Sequence, residues 1–518
     1  MRRTFLLFTL ISSFLITAQT VPAIQWQKSL GGTNRETAKS VQQTIDGGYI
    51  VAGYSASNDD DVSGNHGGYD YWIVKLNNSG NIQWQKSLGG GQFDYAESVQ
   101  QTADEGYIIA GYSESNDGDV SGNHGDYDFW VVKLDNNGNI QWQKSLGGSS
   151  VDFAKSIQQT ADGGYIVAGY SLSNDGDVTG HHNHYDYWIV KLDSSGNIQW
   201  QKSLGGNGEE IATSARQTTD GGYIVVGYSR SIDGDVTGNH GDSDYWAVKL
   251  DNVGNIQWQK SLGGSKADFA SSVLQTSDGG YIIAGYSSSN DGDVTGLHGN
   301  PGDYPDYWIV KLNSNGNIQW QKSLGGIFGE FANSIQQTTD GGYIIAGESW
   351  SIDGDVGGHH GSTSSSDYWI VKLNNTGNIL WEKSLGGFSN DIANFIQQTT
   401  DGGYIVAGES VSNEGDVSGH HGSTAFNDMW IVKLSADGLA TNEVQSTKIN
   451  IYPNPVKETL NFSEEVSKIK ITDLSGKMVK QASASAKSVN VSTLAKGVYI
   501  ISATTKSGES INSKIVKE

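Results

Sequence analysis

The chain has 518 residues, with 57 Asp and Glu against 33 Lys and Arg, a formal net charge of −24 and no cysteine. Disulfides, thiolate metal sites and a cysteine nucleophile are therefore excluded, and an acidic surface argues against nucleic acid or anionic lipid as a partner. With 69 Gly, 5 Pro, 15 Trp and 24 Tyr, the composition suits many short strands joined by tight turns, not helices or disorder.

At the N-terminus, Arg2 and Arg3 precede a 12-residue apolar run, residues 5–16, and then Thr17, Ala18 and Gln19. This order is expected of a secretory signal peptide, residues 1–19, since the run is short for a bilayer span. No other run approaches membrane length, so no membrane span is expected after signal removal.

From residue 24 onward one unit recurs. Its fourth-strand tryptophan appears as Trp26, Trp84, Trp142, Trp200, Trp258, Trp320 and Trp381, a spacing of 58 to 62 residues. Self-similarity at such a period marks an architecture in which each unit buries its apolar face against its neighbours. Within the second unit, YAESVQQT at residues 95–102 reads as a short strand. YIIAGYS at 107–113, DFWVVKL at 128–134 and IQWQKSL at 140–146 follow as three more, with a long loop before the third and a DNNGN hairpin before the fourth. Four antiparallel strands per unit predict a propeller blade. The N-terminal IQWQKSL lacks its first three strands and the seventh unit, ending at residue 434, lacks its fourth. The expected fold over residues 24–434 is thus an all-β, seven-bladed β-propeller whose N-terminal strand closes the last blade.

The run DYWIVKLDSSGNIQWQKSLGG at residues 186–206, continued in other units by DFA and DGGYIVAGY, resembles the bacterial seven-bladed β-propeller (SBBP-like) repeat. That resemblance implies a fold and little about activity, because such repeats share no common catalytic set.

The long loop carries D-G-D-V-[ST]-G-x-H with small departures, and an aspartate stands before each third strand. The candidate cation ligands are Asp61 and Asp70, Asp119 and Asp128, Asp177 and Asp186, Asp235 and Asp244, Asp293 and Asp306, Asp355 and Asp367, and Asp416 and Asp428. All 11 histidines lie in these loops. Carboxylates near Gly suit calcium, although the spacing fits neither an EF-hand nor a zinc triad; the same residues also read as turn caps, and no cofactor is required. A second acid precedes each first strand, from Glu36 to Asp391, either ringing a channel mouth or accepting N–H groups from the Gly-Gly turn beside it. Most tryptophans alternate with aliphatic residues and read as packing between blades. Trp350 and Phe426 fall outside the pattern and are the candidate exposed ligand contacts. No nucleophile elbow, phosphate loop or zinc-protease helix occurs, which leans against an enzyme without deciding it.

Residues 435–447 break the repeat and read as a linker. Residues 448–518 are basic, with 11 Lys and 6 acidic residues, and form short alternating strands expected to make a small C-terminal β-sandwich. Tyr452, Pro453, Asn454 and Pro455, then Asp473, Leu474, Gly476 and Lys477, then Leu494, Gly497, Val498 and Tyr499, with the run from Lys514 to Lys517, resemble the type A C-terminal sorting domain of the type IX secretion system of Bacteroidetes. The resemblance implies the Sec and type IX machineries as partners and a secreted, extracellular or cell-surface location. The expectation is a monomeric binding or adhesion module for glycan or protein. A polysaccharide-active hydrolase or lyase on the acidic loop face, or a structural surface protein, are the alternatives.

Overall fold

The computed structural model describes residues 19–439, 451–473, 477–482, 484–505 and 510–518. The expected signal peptide, save its last residue Gln19, and most of the expected linker fall outside these. Two compact units are present, one ending at Leu439 and the other beginning at Ala440.

In the first unit the repeat becomes seven four-stranded antiparallel sheets. In the second sheet the strands are Asp94–Gln101, Tyr107–Ser113, Asp128–Leu134 and Ile140–Leu146. Three of these match the sequence reading residue for residue; the first is shifted by one, starting at the acid and ending at Gln101 where residues 95–102 were expected. The seventh sheet is built from Asp391–Gln398, Tyr404–Ser410, Asp428–Leu434 and the distant Ile24–Leu30. Leu30 stands opposite Met429 and Ile24 opposite Leu434.

Third strands are buried along their whole length, because each sheet packs face to face between two others and both faces of its middle are covered. A seven-residue run such as DYWIVKL survives this burial by placing Trp72 and Ile73 on opposite faces and giving each of its two charges, Asp70 and Lys75, a partner. Lys75 is 4% exposed, and its Nζ lies 2.8 Å from Asp46 in the turn between the first and second strands. The apolar clusters are intersheet. Ile50, Tyr71 and Ile73 of the first sheet pack with Ala96, Tyr107 and Trp130 of the second. Tyr71 also donates its hydroxyl to the Trp130 carbonyl at 2.8 Å. The seventh sheet joins the first in the same way, with Ile405, Met429 and Ile431 against Val41, Tyr49 and Trp72. The contacts therefore run in a closed ring, with the first strands innermost.

Each first strand carries a bulge at its fourth residue; opposite Gly111, for example, the register slips between Ala96 and Ser98. Glycine is required there, because a Cβ on Gly111 would meet the Tyr95 carbonyl oxygen at 1.9 Å. Beyond the seventh sheet, Ser435 still bonds Ala23 and the pair Gly438–Leu439 lies beside Gln19–Thr20. The first five residues of the expected linker are thus still tied to the first unit by backbone pairing.

In the second unit the long strand Thr459–Asp473 organises one six-stranded sheet. Its first part lies between Ile451–Tyr452 and Ala486–Asn490, and its second part lies beside Met478–Ala482 and Gly497–Thr505. Ser510–Lys517 completes the order at the edge.

Candidate functional site

The loops between second and third strands and the turns between sheets share one end of the ring, because Asp119 N–H donates to the Gly89 carbonyl at 2.9 Å and Gly89 N–H returns to Asp119 Oδ2 at 3.3 Å. Every third strand starts there with an aspartate shut away from solvent. Asp70 Oδ2 accepts the His66 backbone N–H at 3.0 Å and stands 2.7 Å from His66 Nδ1. The pairing recurs at His124–Asp128, His182–Asp186, His240–Asp244, His298–Asp306, His360–Asp367 and His421–Asp428. Burial pushes the Asp70 carboxyl up. Burial pulls His66 down, but Asp70 beside it outweighs this and leaves the imidazole above its ordinary value.

The sequence placed each loop aspartate with the histidine of its own loop. In three sheets the structure instead brings it near the histidine of the preceding sheet, with His298 Nε2 at 3.9 Å from Asp355, His360 at 3.8 Å from Asp416 and His421 at 3.7 Å from Asp61. The loop folds back onto the turn entering its own sheet, and that turn abuts the previous third strand. The other oxygens of Asp70, Asp128, Asp186, Asp244, Asp306, Asp367 and Asp428 have no hydrogen-bond partner among the described residues. No group of three or more His, Asp and Glu is gathered to hold a metal among those residues.

The acids that open the first strands do not ring a channel mouth. Glu36, Asp94, Asp152, Glu210, Asp268, Glu330 and Asp391 are 0% exposed. Each accepts the N–H of the second glycine, or its equivalent, in the turn beside it, as Gly90 to Asp94 at 2.9 Å and Gly32 to Glu36 at 2.9 Å. Serine hydroxyls add to this, Ser115 reaching Asp94 at 3.0 Å. Burial pushes Asp94 and Asp152 up to about 6, and Glu36, Asp268, Glu330 and Asp391 up to about 7.

Around the axis at this end runs a series of half-buried aromatic rings that sequence reasoning missed. They come from the second residue of the first strand and the sixth of the second, which face each other across the ladder, as Tyr95 and Tyr112 do. Ring centroids follow one another at 4.9 Å for Tyr54 and Tyr95, 5.0 Å for Tyr95 and Tyr112, 4.7 Å for Tyr112 and Phe153, and 5.2 Å for Phe153 and Tyr170. After a gap at Ile211 they resume through Tyr228, Phe269, Tyr286 and Phe331 at 4.6, 5.2 and 4.9 Å. The signal was available: two strand positions alternate toward the axis and carry Tyr or Phe in most copies. In the sixth and seventh sheets the second of these positions holds Glu348 and Glu409.

The aromatic run ends in an apolar cavity of about 320 Å³ lined by Tyr304, Phe328, Gly329, Phe331, Trp350 and Thr363. Trp350 is thus half-buried as a cavity wall, with Nε1 donating to Glu348 Oε2 at 3.3 Å. Of the other wall residues Tyr304, 50% exposed, comes from an insertion in the fifth loop, and Phe328 from the turn entering the sixth sheet. Phe426 is 41% exposed and lines no part of that cavity. The two aromatic residues singled out from the sequence are therefore not one site.

In the second unit, Tyr452, Pro453, Asn454 and Pro455 form an exposed corner bound to the last strand. Asn454 Nδ2 donates to the Lys514 carbonyl at 2.9 Å, and Val516 N–H donates back to Asn454 Oδ1 at 2.8 Å. Asp473 accepts the Lys477 N–H at 3.1 Å, and the Tyr499 hydroxyl, close after Gly497, donates to the Ala495 carbonyl at 2.9 Å. Leu474 and Gly476 lie outside the described residues.

Residues 450–518 match the model of the secretion system C-terminal sorting domain. The regulatory protein FlaEY of Caulobacter vibrioides is 26% identical over 207 residues, which are 37% of this chain; the chain covers only 21% of that protein. Among solved structures, Sqt1 from Chaetomium thermophilum is 10% identical with a TM-score of 0.41, over 81% of this chain and 100% of that one. The extracellular domain of a hybrid two-component system from B. thetaiotaomicron is 11% identical with a TM-score of 0.41, over 96% of this chain and 59% of that one. Likeness at this level carries no functional information. The sorting domain does: it marks the chain for the type IX secretion machinery, and the protein is one that is secreted to the cell surface.

Proposed function

We propose that the repeat region is a seven-bladed β-propeller that binds glycan or protein outside the cell and performs no catalysis. The observation that carries this reading is the run of partly open aromatic rings around the axis, ending in the cavity walled by Tyr304, Phe328, Phe331 and Trp350. Concave sites lined by aromatic rings with a few polar groups at the rim suit sugar faces and apolar side chains. The accompanying proposals are a signal peptide at residues 1–19 read by the Sec machinery, a sandwich fold for the sorting domain, a monomeric state, and calcium on the loop aspartates. The loop aspartates and histidines recur in every sheet, and a catalytic group is needed once; the aromatic cavity draws on Tyr304 and Trp350, which depart from their counterparts in the other copies.

The test is a glycan-array and cell-surface binding screen of the full chain against Trp350→Ala and Phe331→Ala, with calcium and with chelator. Saturable binding lost in both variants supports the reading. Binding that both variants retain places the ligand elsewhere, and binding by neither the full chain nor its variants removes the recognition role. A hydrolytic reading has one observation in its favour: Glu348 is held above its ordinary range by burial, with Glu409 in the adjoining sheet adding to the shift. A carboxyl raised by burial beside a second carboxyl is the pairing glycoside hydrolysis uses.

A further inference from the structure

The bulged residue of each first strand points to the ring axis, and here the seven copies part company: Lys39, Glu97, Lys155, Thr213, Ser271, Asn333 and Asn394 occupy one level. They line a cavity of about 180 Å³ on the axis, continuous through Ser40, Ser98 and Arg216 with a second of about 150 Å³. A chain with a net charge of −24 thus gathers three cations and one carboxylate along its own axis. Glu97 is taken by Lys155 at 2.6 Å. Lys39 and Arg216 have no carboxylate within ion-pair distance among the described residues. Arg216 Nη1 donates to Ser156 Oγ at 3.1 Å and to the Ala215 carbonyl at 2.8 Å, which leaves most of its five N–H donors free.

Arg216 also breaks a local rule. At its position five of the seven sheets carry glutamine, whose Oε1 accepts a backbone N–H from the next first strand. Gln42 serves Gln101 at 2.6 Å, Gln100 serves Gln159 at 2.6 Å, Gln158 serves Gln217 at 2.7 Å, Gln336 serves Gln398 at 3.2 Å and Gln397 serves Gln43 at 2.6 Å. The belt is interrupted only at Arg216 and Leu274, so the chain forgoes an intersheet hydrogen bond to set a guanidinium in the axis. Rules broken locally without a structural return are expected where a site is being served. A desolvated cation without a counter-charge is costly until an anion meets it, and a planar guanidinium matches the two oxygens of an oxyanion.

We propose that the axial channel binds one small oxyanion of the carboxylate or sulfate class, held by Arg216 with Lys39 as the second cation. The site is independent of the aromatic cavity. The oxyanion arrives either as a free small acid or as the acidic group of a longer saccharide, and the two sources are separable by size.

The experiment is titration of the full chain, by calorimetry and by thermal melting at constant ionic strength, with sodium glucuronate, sodium sulfate, a galacturonate tetramer, neutral glucose and sodium chloride. One-to-one binding of glucuronate or sulfate, with a melting temperature that climbs with the logarithm of concentration, is expected, and glucose and chloride give neither. Uptake of the monomer alone assigns a free acid, and tighter uptake of the tetramer assigns the end of a chain. Arg216→Gln restores the belt by accepting the Gln275 N–H, so it folds and its ligand-free melting temperature stays equal or rises, while oxyanion binding falls at least tenfold. Trp350→Ala leaves oxyanion binding unchanged, which separates failure here from failure of the aromatic reading. Undiminished binding in Arg216→Gln, or no binding by the full chain to any oxyanion, overturns the proposal.

Discussion

Replacing Leu30 by alanine tests the seam of the ring against its own internal copies. Leu30 is 4% exposed and packs with Val41, Tyr49, Trp72 and Met429; Leu88, its counterpart one unit on, is 5% exposed in an equivalent cluster. Truncating a buried leucine to alanine costs about 3 kcal/mol, within a range of about 2–5, and chemistry and burial are matched between the two sites. The connectivity differs. In the first sheet a short hairpin ties the fourth strand, Ile82–Leu88, to the third, whereas Ile24–Leu30 meets Asp428–Leu434 only through pairing between segments some 400 residues apart. What holds it is the ladder, Leu30, the half-buried Trp26 at 5.6 Å from Tyr49, and Gln27 Oε1 accepting Trp430 Nε1–H at 2.8 Å. Opening this strand alone is therefore a local event whose free energy falls by the whole ~3 kcal/mol, about a hundredfold in open population. Native-state hydrogen exchange is the assay. In Leu30→Ala the amides of Gln27 to Ser29 should exchange about a hundredfold faster while those of the third sheet barely change. In Leu88→Ala no amide group should be singled out so strongly, since its strand cannot leave without its hairpin. Equal and local acceleration in both variants would refute the argument that closure is the weak seam.

Two further outcomes follow from the buried groups. The carboxyls raised to about 6 or 7 by burial at the start of the first strands hold protons in the folded chain at pH values where the unfolded chain has lost them. Between about pH 4.5 and 7 the folded state binds more protons, so stability falls as pH rises; His66, His298 and His421, held above the ordinary imidazole value beside their aspartates, act in the same sense and lose their contribution as pH rises through it. At Asp46, burial works upward but the Lys75 ammonium, Thr44 and Gly48 outweigh it and hold the carboxyl at about 2, so that loss comes only below about pH 4. The melting temperature should peak near pH 5 and be lower by ~5 °C or more at pH 8, and a flat or rising profile over that interval would contradict the buried-acid account. Gly111→Ala should cost about 3 kcal/mol or more by denaturant unfolding, because the new Cβ meets a backbone oxygen that cannot yield, whereas Gly122→Ala, with open space around it, should cost about 1 kcal/mol for its positive φ.

The repeat made the scaffold legible. Period, turn residues and the strand pattern of YIIAGYS and DFWVVKL gave strand limits that the ladders match, and the orphan IQWQKSL at the start gave the pairing that joins the last sheet to the first. The loop chemistry was legible only in kind. The loop pattern put Asp61 and His66 together, but Asp61 approaches His421 of the neighbouring sheet, and no spacing within one unit encodes a contact between two. The axial cations were hidden for a related reason. A bulge at the fourth residue of the first strand shifts which side chains face the axis, and a regular alternation drawn on the sequence assigns them wrongly. Trp350 drew notice because it departs from its copies; Arg216 departs as clearly, at a position where a glutamine's role shows only once its hydrogen bond across sheets is seen.

The measurement that bears most directly on the account is made on whichever saccharide the binding screen returns. The full chain and Glu348→Gln are incubated with it to equilibrium, bound ligand is quantified, and the released reducing ends are counted over many hours. The account predicts saturable binding by both proteins and recovery of the saccharide intact. Turnover by the full chain that Glu348→Gln abolishes would contradict it and make the mouth of the ring an active site.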